Sequence, residues 1–269
     1  MNTMATKKPT WVVEKERQKR AADAQTVWLF GIHAVRDALL NPARELLHLI
    51  VTKNAADRLA DEIAKAGITP EISDPRRFSA PLDPGSVHQG AALEVKPLKW
   101  PSLRDIAIDA GSRGRLLFLD RVTDPHNVGA ILRSAEVLGA AAVVATQRNA
   151  APETGALAKT ASGALERQPY VRIRNLADAM EEVKALGYIV LGLEGETEQT
   201  LEQVIATTLA RGPRPIALVL GAEGPGLRDK TKATCDALMR INSADAFGSL
   251  NVSNAAALAL YASLRDTSA

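Results

Sequence analysis

The chain has few of the residues from which several common functional sites are built. Its 269 residues include one cysteine, Cys235, which excludes an internal disulfide and a cysteine zinc cluster. The four histidines are scattered, so no metal-ligand spacing is present and we predict no metal site. The sequence also lacks an apolar run long enough to cross a bilayer and a signal-peptide core at its amino terminus. We therefore expect a cytoplasmic protein.

An excess of charge of one sign is also lacking, since the formal net charge is only +2. The positive charge is concentrated in residues 1–25, which hold six lysines and arginines against three acidic residues. A basic leader of this kind raises affinity for nucleic-acid phosphates without sequence specificity. A disordered, solvated leader with no binding role is an alternative that the same composition allows.

Hydrophobic residues make up 46% of the chain, and their spacing indicates a first folded unit over 26–96. A helical pattern over 31–40 places Ile32, Val35, Leu39 and Leu40 on one face. A strand is predicted at 47–51, followed by a helix over 55–66 that ends at glycine. Residues 97–113 start with prolines and end with glycines, which predicts a linker around one short helix.

The second unit, 114–269, alternates apolar strands with amphipathic helices. This alternation predicts an α/β fold with a parallel sheet covered on both faces. The predicted strands are 116–119, 142–145, 188–191, 216–220 and 238–241. The predicted helices are 128–138, 176–186, 201–209 and 252–264.

Three segments of the second unit place polar side chains where a predicted strand passes into a helix or loop: Asp124–Arg133, Gly221–Leu227 and Ser249–Ala256. In an open α/β sheet, ligands bind at the carboxyl ends of the strands. Three such junctions in one small domain therefore predict one shared pocket.

In the first segment, Asn127 is a candidate N-cap and Arg133 falls off the apolar stripe, where it is free to meet a carboxylate or a phosphate. The alternative is that Asn127 only caps the helix and Arg133 forms a surface ion pair. In the second segment, glycines let the backbone approach a ligand closely, and Glu223 is the only charged residue. The alternative there is a plain turn with a solvated glutamate. The spacing matches neither the dinucleotide fingerprint nor the P-loop.

The third segment contains three competent N-caps, Ser249, Asn251 and Ser253, although one helix needs only one. The surplus suggests a ligand or an active-site network. Residues 159–166 are rich in small side chains and either line the site or form an ordinary helix start. His88 either touches a substrate or has a structural role.

Together and in this order, the three segments resemble the signature motifs of the SpoU (TrmH) family of RNA ribose 2'-O-methyltransferases, in the SPOUT superfamily. Phe30–Val35 and His88-Gln89-Gly90 match as well, so the resemblance covers roughly 27–264. Within the family the chain looks most similar to bacterial enzymes that methylate a guanosine ribose in 23S rRNA. The resemblance implies an L30e-like RNA-binding domain at 26–96. It also implies a methyltransferase domain at 114–269 with a C-terminal trefoil knot, an exception to the rule that chains do not thread loops.

The resemblance further implies S-adenosylmethionine as cofactor, 23S rRNA as substrate and a homodimer as the working form. Gly221, Ile241 and Leu250 match the family's cofactor positions. Five polar residues match its active site: Asn127, Arg133, Glu223, Ser249 and Asn251.

The chain departs from the family pattern where Ile241-Asn242-Ser243 replaces the usual Ile-Pro-Met, in a loop that contacts cofactor. Three alternatives stay open at this point. They are a tRNA ribose methyltransferase, an RNA-binding homologue without catalysis, and an α/β enzyme for a small nucleotide.

Overall fold

The computed structural model of the protein describes residues 26–83, 85–210, 212–242 and 250–264. The predicted leader, 1–25, and the candidate site residue Ser249 lie outside the described residues. Within the described ranges, no helix combines the length and the apolar character that a membrane span requires.

The first unit contains four strands, β1 (Val27–Phe30), β2 (Leu46–Val51), β3 (Glu71–Ile72) and β4 (Ala91–Val95). They form one mixed sheet in the order β1-β4-β2-β3, in which β4 is antiparallel to both of its neighbours and β3 is parallel to β2. Its helices are α1 (Ile32–Leu40), α2 (Lys53–Arg58) and α3 (Ala60–Ala66). Apolar residues of β1, α1, β2 and β4 fill its core.

Two details of this unit differ from the sequence prediction. The helix predicted over 55–66 is divided at Leu59, whose φ of −114° is not helical and whose side chain is fully buried. The predicted end at Gly67 is confirmed, since Gly67 has the left-handed φ of 66° that favours glycine. Leu40 is 47% exposed rather than on the buried face, because neighbouring helical residues point about 100° apart and Leu39 takes the core position.

The second unit contains six strands, β5 (Arg115–Asp120), β6 (Ala142–Thr146), β7 (Tyr170–Ile173), β8 (Ile189–Leu193), β9 (Ile216–Gly221) and β10 (Ala237–Met239). All pairs are parallel, in the order β10-β8-β9-β5-β6-β7. The predicted α/β class with a parallel sheet is therefore confirmed.

Helices cover both faces of this sheet: α4 (Leu103–Asp109), α5 (Pro125–Val137), α6 (Gly155–Ala161), α7 (Leu176–Ala185), α8 (Leu201–Leu209), α9 (Asp229–Thr234) and α10 (Val252–Leu264). The central strand β5 shows why two layers are needed. Leu116 and Phe118 belong to the apolar cluster on one face, with α4 and α7, whereas Leu117 and Leu119 belong to the cluster on the other, with α5, α8 and α10. A strand buried on both sides is a continuous apolar run, as the sequence shows.

The chain also packs the first sheet against the second unit. Phe30 of β1 lies directly over Gly155 of α6, where a side chain would overlap its ring. Arg44 crosses to Glu166 with N–O distances of 2.7 and 2.9 Å, and both side chains are almost fully buried. The domain limits proposed from the sequence stay a prediction. So does the knot, because residues 243–249, between β10 and α10, lie outside the described residues.

Candidate functional site

The first two polar segments begin at neighbouring strands of the parallel sheet. β5 and β9 pair in register so that Asp120 lies opposite Gly221 at their carboxyl ends. The first segment therefore leaves the sheet beside the second. The third segment joins them through α10, which packs against both β9 and α5. The described parts of the three segments therefore meet, whereas the shared pocket stays a prediction.

The first segment starts its helix earlier than predicted. Asp124, not Asn127, is the N-cap of α5, and its carboxylate accepts a hydrogen bond from the His126 amide at 2.9 Å. Pro125 occupies the first helical position, where its fixed φ suits a helix start. Asn127 lies within the first turn, so its side chain is not needed for capping and is available for tertiary contacts.

Asn251 caps α10 and reaches the other segments at the same time. Its Oδ1 accepts from the Ser253 amide at 2.9 Å and from the Ser253 hydroxyl at 2.6 Å. The amide nitrogen is thereby turned outward, and it donates to Asn127 Oδ1 at 2.8 Å and to Glu223 Oε1 at 2.7 Å. Of the three candidate caps, Asn251 is the one that caps the helix among the described residues.

Glu223 completes the arrangement. Its Oε1 accepts from Asn127 Nδ2 at 3.2 Å, from Asn251 Nδ2 and, at 3.4 Å, from the Val252 amide. We call Asn127, Glu223 and Asn251 the polar triad. Two alternatives from the sequence are contradicted by these contacts, since Asn127 does not cap the helix but bonds Glu223 and Asn251, and Glu223 is not merely a solvated side chain.

The glycines of the second segment let its backbone fold back on itself. A Cβ at Gly221 would overlap the backbone of Gly226 and come within 2.5 Å of the Leu227 nitrogen. Gly226 donates its amide to the Ala222 carbonyl at 3.0 Å, and its φ of 65° is left-handed. The carboxylate of Glu223 is held towards α5 and α10 by this tight loop.

Arg133 stands apart from the polar triad. It is exposed on α5 and makes no hydrogen bond or ion pair with any residue the structure describes, so the alternative of a surface ion pair is not found there. The two cofactor candidates beyond Gly221 are uncharged: Ile241, which follows β10, is half-buried, and Leu250 is 47% exposed beside Asn251.

Sequence reasoning missed Asp120, which is fully buried at the end of β5. Its carboxylate accepts from Arg228 Nε at 2.7 Å, from the Arg228 amide at 3.1 Å and from the Thr231 hydroxyl at 2.7 Å. It therefore ties the start of the first segment to the residue that follows the second. The sequence did contain a signal for this residue, namely an acidic residue at the end of an apolar strand. A carboxylate buried there needs hydrogen-bond or charge partners.

The two upstream matches also meet. Gln89 Oε1 accepts from the Ile32 amide at 3.0 Å, so His88-Gln89-Gly90 holds the start of α1. Gly31 has a φ of 91° there, and a Cβ at Gly90 would collide with Thr52. His88 accepts from the Gly90 amide at 3.1 Å and stacks on Phe78 with ring centroids 4.0 Å apart. These contacts fix the orientation of the His88 imidazole.

The segment at 159–166 is the end of α6 and a short 3-10 helix rather than a loop. It lies close to the first segment, because Gly129 of α5 has no side chain to separate it from Leu157 and Thr160. Thr160 hydrogen-bonds His126 Nδ1 at 3.1 Å. Among the described residues, no group of three His, Cys, Asp or Glu is placed to hold a metal ion.

Comparison with known families gives two matches that together cover most of the chain. A family model described as SpoU rRNA methylase matches residues 114–261. A model described as RNA 2'-O ribose methyltransferase substrate binding matches residues 28–101.

Two proteins with similar sequences share one name. The 23S rRNA (guanosine-2'-O-)-methyltransferase RlmB of Photobacterium profundum is 37% identical over 88% of this chain and 96% of its own length. The protein of the same name from Ralstonia nicotianae is 38% identical over 89% of this chain and 96% of its own.

Among solved structures, the SpoU methyltransferase AviRb of Streptomyces viridochromogenes, in complex with AdoMet, superposes with a TM-score of 0.74. It is 22% identical and covers 93% of this chain and 92% of its own. An AdoMet-bound rRNA methyltransferase of Sinorhizobium meliloti superposes with a TM-score of 0.74, at 22% identity over 98% of both chains. At this level of identity, the two structures support the fold.

Proposed function

Because the chain belongs to the SpoU rRNA methylase family, we propose that it transfers the methyl group of S-adenosylmethionine to the ribose 2'-hydroxyl of a guanosine in 23S rRNA. The relatives named for this reaction match 88% of the chain. The observation that carries the proposal is the polar triad, which joins the three motifs at the carboxyl end of the parallel sheet.

We assign cofactor binding to Gly221, Ile241 and Leu250 with the adjoining loop backbone. The glycine loop fits such a ligand, because Gly224 has open space where a Cβ would stand and its backbone is exposed. Ile241 and Leu250 offer uncharged surface near the triad. When bound, S-adenosylmethionine supplies a methyl group on a sulfonium centre.

The protein's own residues would align the ribose oxygen with that methyl group. The polar triad suits this task because its amides are held in fixed directions before any ligand arrives. Ser249 would add a hydroxyl beside Asn251. A guanidinium group offers a planar set of donors and no acceptor, so we assign Arg133 to clamp an RNA phosphate next to the reacting ribose and not to accept the hydroxyl proton.

We propose a homodimer as the working form, because an apolar surface is left exposed beside Arg133. Val137 lies one helical turn after Arg133 on α5 and is 77% exposed. On α10, which packs against α5, Leu258 is 45% and Tyr261 is 55% exposed. A second copy covering this surface would bring Arg133 into the interface. Light scattering should give a dimer mass for the wild type and a monomer mass for Val137→Glu.

A 23S rRNA substrate also places the protein in the cytoplasm. RNA is the one nucleic acid that offers a 2'-hydroxyl, and the first domain matches a substrate-binding model of this enzyme class. The basic leader would add contacts to phosphates.

The direct test is transfer of labelled methyl groups from S-adenosylmethionine to unmodified 23S rRNA, with bulk tRNA assayed in parallel. Labelled 2'-O-methylguanosine in the rRNA is the expected product. Label in tRNA alone would favour the tRNA enzyme. Calorimetric titration with S-adenosylmethionine identifies an inactive RNA-binding homologue, since such a protein would bind RNA but take up no cofactor. Mapping ribose methylation in cells with and without the protein then locates the target nucleotide.

A further inference from the structure

The first domain contains a cavity that the polar triad does not use. It has a volume of about 240 Å³ and is lined by Thr52, Asn54, Arg58, His88 and Gln89, among others. Sites for drug-sized ligands begin at roughly 300 Å³. The cavity therefore suits one phosphate group or the edge of one base.

Hydrogen bonds to backbone amides leave two polar side chains of the cavity with donor groups free. His88 Nδ1 accepts from the Gly90 amide, so in the neutral ring the proton lies on Nε2, which donates. Stacking on Phe78 fixes the orientation of this imidazole. Gln89 Oε1 accepts from the Ile32 amide, which leaves its NH2 group to donate.

Arg58 adds a permanent positive charge and a planar set of donors. Its side chain is exposed and has no hydrogen bond or ion pair within the described part of the chain, and its backbone carbonyl accepts from Arg36. None of the described lining residues is acidic. Such a cavity selects an acceptor-rich group, either a phosphate or the O6 and N7 edge of guanine.

A chain of contacts links this cavity to the polar triad. Gln89 lies against Gly31, and the side chain of Lys159 passes the same glycine. The next residue of α6, Thr160, hydrogen-bonds His126, the neighbour of Asn127. Lys159 is exposed and has no ion-pair partner among the described residues. An RNA strand crossing from the cavity to the triad would therefore pass a free cation.

We propose that this cavity is a subsite for the RNA substrate, which holds a phosphate or a guanine edge of a nucleotide other than the one that is methylated. Arg58, His88 and Gln89 bind that group and so set the position of the strand on the triad. The proposal rests on the proposed function, to which it adds a defined second point of contact.

Two variants and one control test the subsite. Arg58→Gln removes the charge without breaking a hydrogen bond of the described structure. Asn54→Phe, at an exposed lining position, blocks the cavity without changing charge. Arg104→Gln removes the same charge from α4 of the second domain, away from the cavity. Binding of unmodified 23S rRNA is measured over a range of salt concentrations, and thermal melting confirms folding.

We expect the Kd for RNA to rise about tenfold in Arg58→Gln and in Asn54→Phe, with Arg104→Gln and cofactor affinity unchanged. If the group is a phosphate, the slope of log Kd against log salt falls by about 0.7 in Arg58→Gln. If it is a guanine edge, the slope stays as in the wild type. Wild-type RNA affinity in both cavity variants overturns the subsite. A wild-type protein that neither binds nor methylates RNA overturns the proposed function instead.

Discussion

Asn251 and Asn127 lie 124 residues apart in the chain, yet Asn251 Nδ2 donates to Asn127 Oδ1 over 2.8 Å. Neither amide can turn over without losing a bond, because Asn251 Oδ1 caps α10 and Asn127 Nδ2 donates to Glu223. One contact between two helix starts therefore fixes the direction of three side chains.

Replacing Asn251 by aspartate separates capping from the triad. Aspartate caps a helix as well as asparagine does, so we expect the melting temperature to stay within a few degrees. The donor to Glu223 is lost, and a second carboxylate lies where Asn251 Nδ2 was 2.7 Å from Glu223 Oε1. We expect kcat on rRNA to fall on the order of 100-fold.

Asn254→Asp is the matched control, since it adds the same charge to the same helix at an exposed position. It should retain wild-type turnover. Equal activity of Asn251→Asp and Asn254→Asp would mean that the triad is structural only.

Arg133→Lys tests the phosphate clamp. Lysine keeps the charge but loses the planar pair of donors that binds two phosphate oxygens. We expect kcat/KM for RNA to fall at least about tenfold, with the Kd for S-adenosylmethionine unchanged, as measured by steady-state kinetics and calorimetry. Arg104→Lys on α4 should behave as the wild type. Retention of full activity by Arg133→Lys would remove Arg133 from the reaction.

The meeting of the three motifs could be predicted because parallel strands bring their carboxyl ends to one edge. The helix start could not be read as simply: Asn127 looked like the cap, but Asp124 followed by Pro125 is the stronger start signal. The correction matters for function, because with Asp124 as the cap the Oδ1 of Asn127 accepts from Asn251 while its Nδ2 donates to Glu223.

The missed strand β7 shows a second limit of pattern reading. Tyr170–Ile173 is four residues long and lies at the sheet edge, so it carries Arg172 and lacks a continuous apolar run. Asp120 shows a third, because its partners Arg228 and Thr231 follow more than 100 positions later. The sequence alone predicts that a buried acid has partners, but it does not identify which residues they are.

The contact between the domains depends on a buried charge pair. Arg44 is 0% and Glu166 is 3% exposed at the side chain. Arg44→Met would leave the Glu166 carboxylate buried without its cation, so we expect the free energy of unfolding to fall by about 3–5 kcal/mol. Denaturant titration measures this loss.

Removing both charges should cost less than removing one, so Arg44→Met combined with Glu166→Leu should recover part of the lost stability. The exposed pair Lys96–Glu45 is the control, with side chains 39% and 58% exposed, and Glu45→Gln there should cost less than about 1 kcal/mol. Equal losses at the two pairs would contradict a buried, domain-joining role for Arg44.

Glu153 gives this contact a pH dependence. Burial raises the pKa of Glu153 above its usual value of 4.5, and the nearby Arg44 opposes the shift only in part. A carboxyl with a raised pKa in the folded state contributes stability fully below the unfolded pKa and loses it as the pH rises through the folded value. The contribution of Glu153 to wild-type stability should therefore decline from about pH 4.5 upward. The free energy of unfolding of Glu153→Gln should decline less with rising pH, whereas that of Glu202→Gln, at an exposed site, should follow the wild type.

Cys235 should be unreactive in the folded protein. Burial, with a smaller effect of Asp236, raises the pKa of its thiol to about 12, and the thiol donates to the Thr231 carbonyl at 3.3 Å. At pH 8 only about one thiol in ten thousand would be ionised, and the thiolate is the form that reacts. Because this is the only cysteine, a disulfide reagent reports on it alone. We expect negligible reaction under native conditions and one rapidly reacting thiol in guanidinium chloride. Native reaction at the rate of free cysteine would show that the thiol is accessible and ionised.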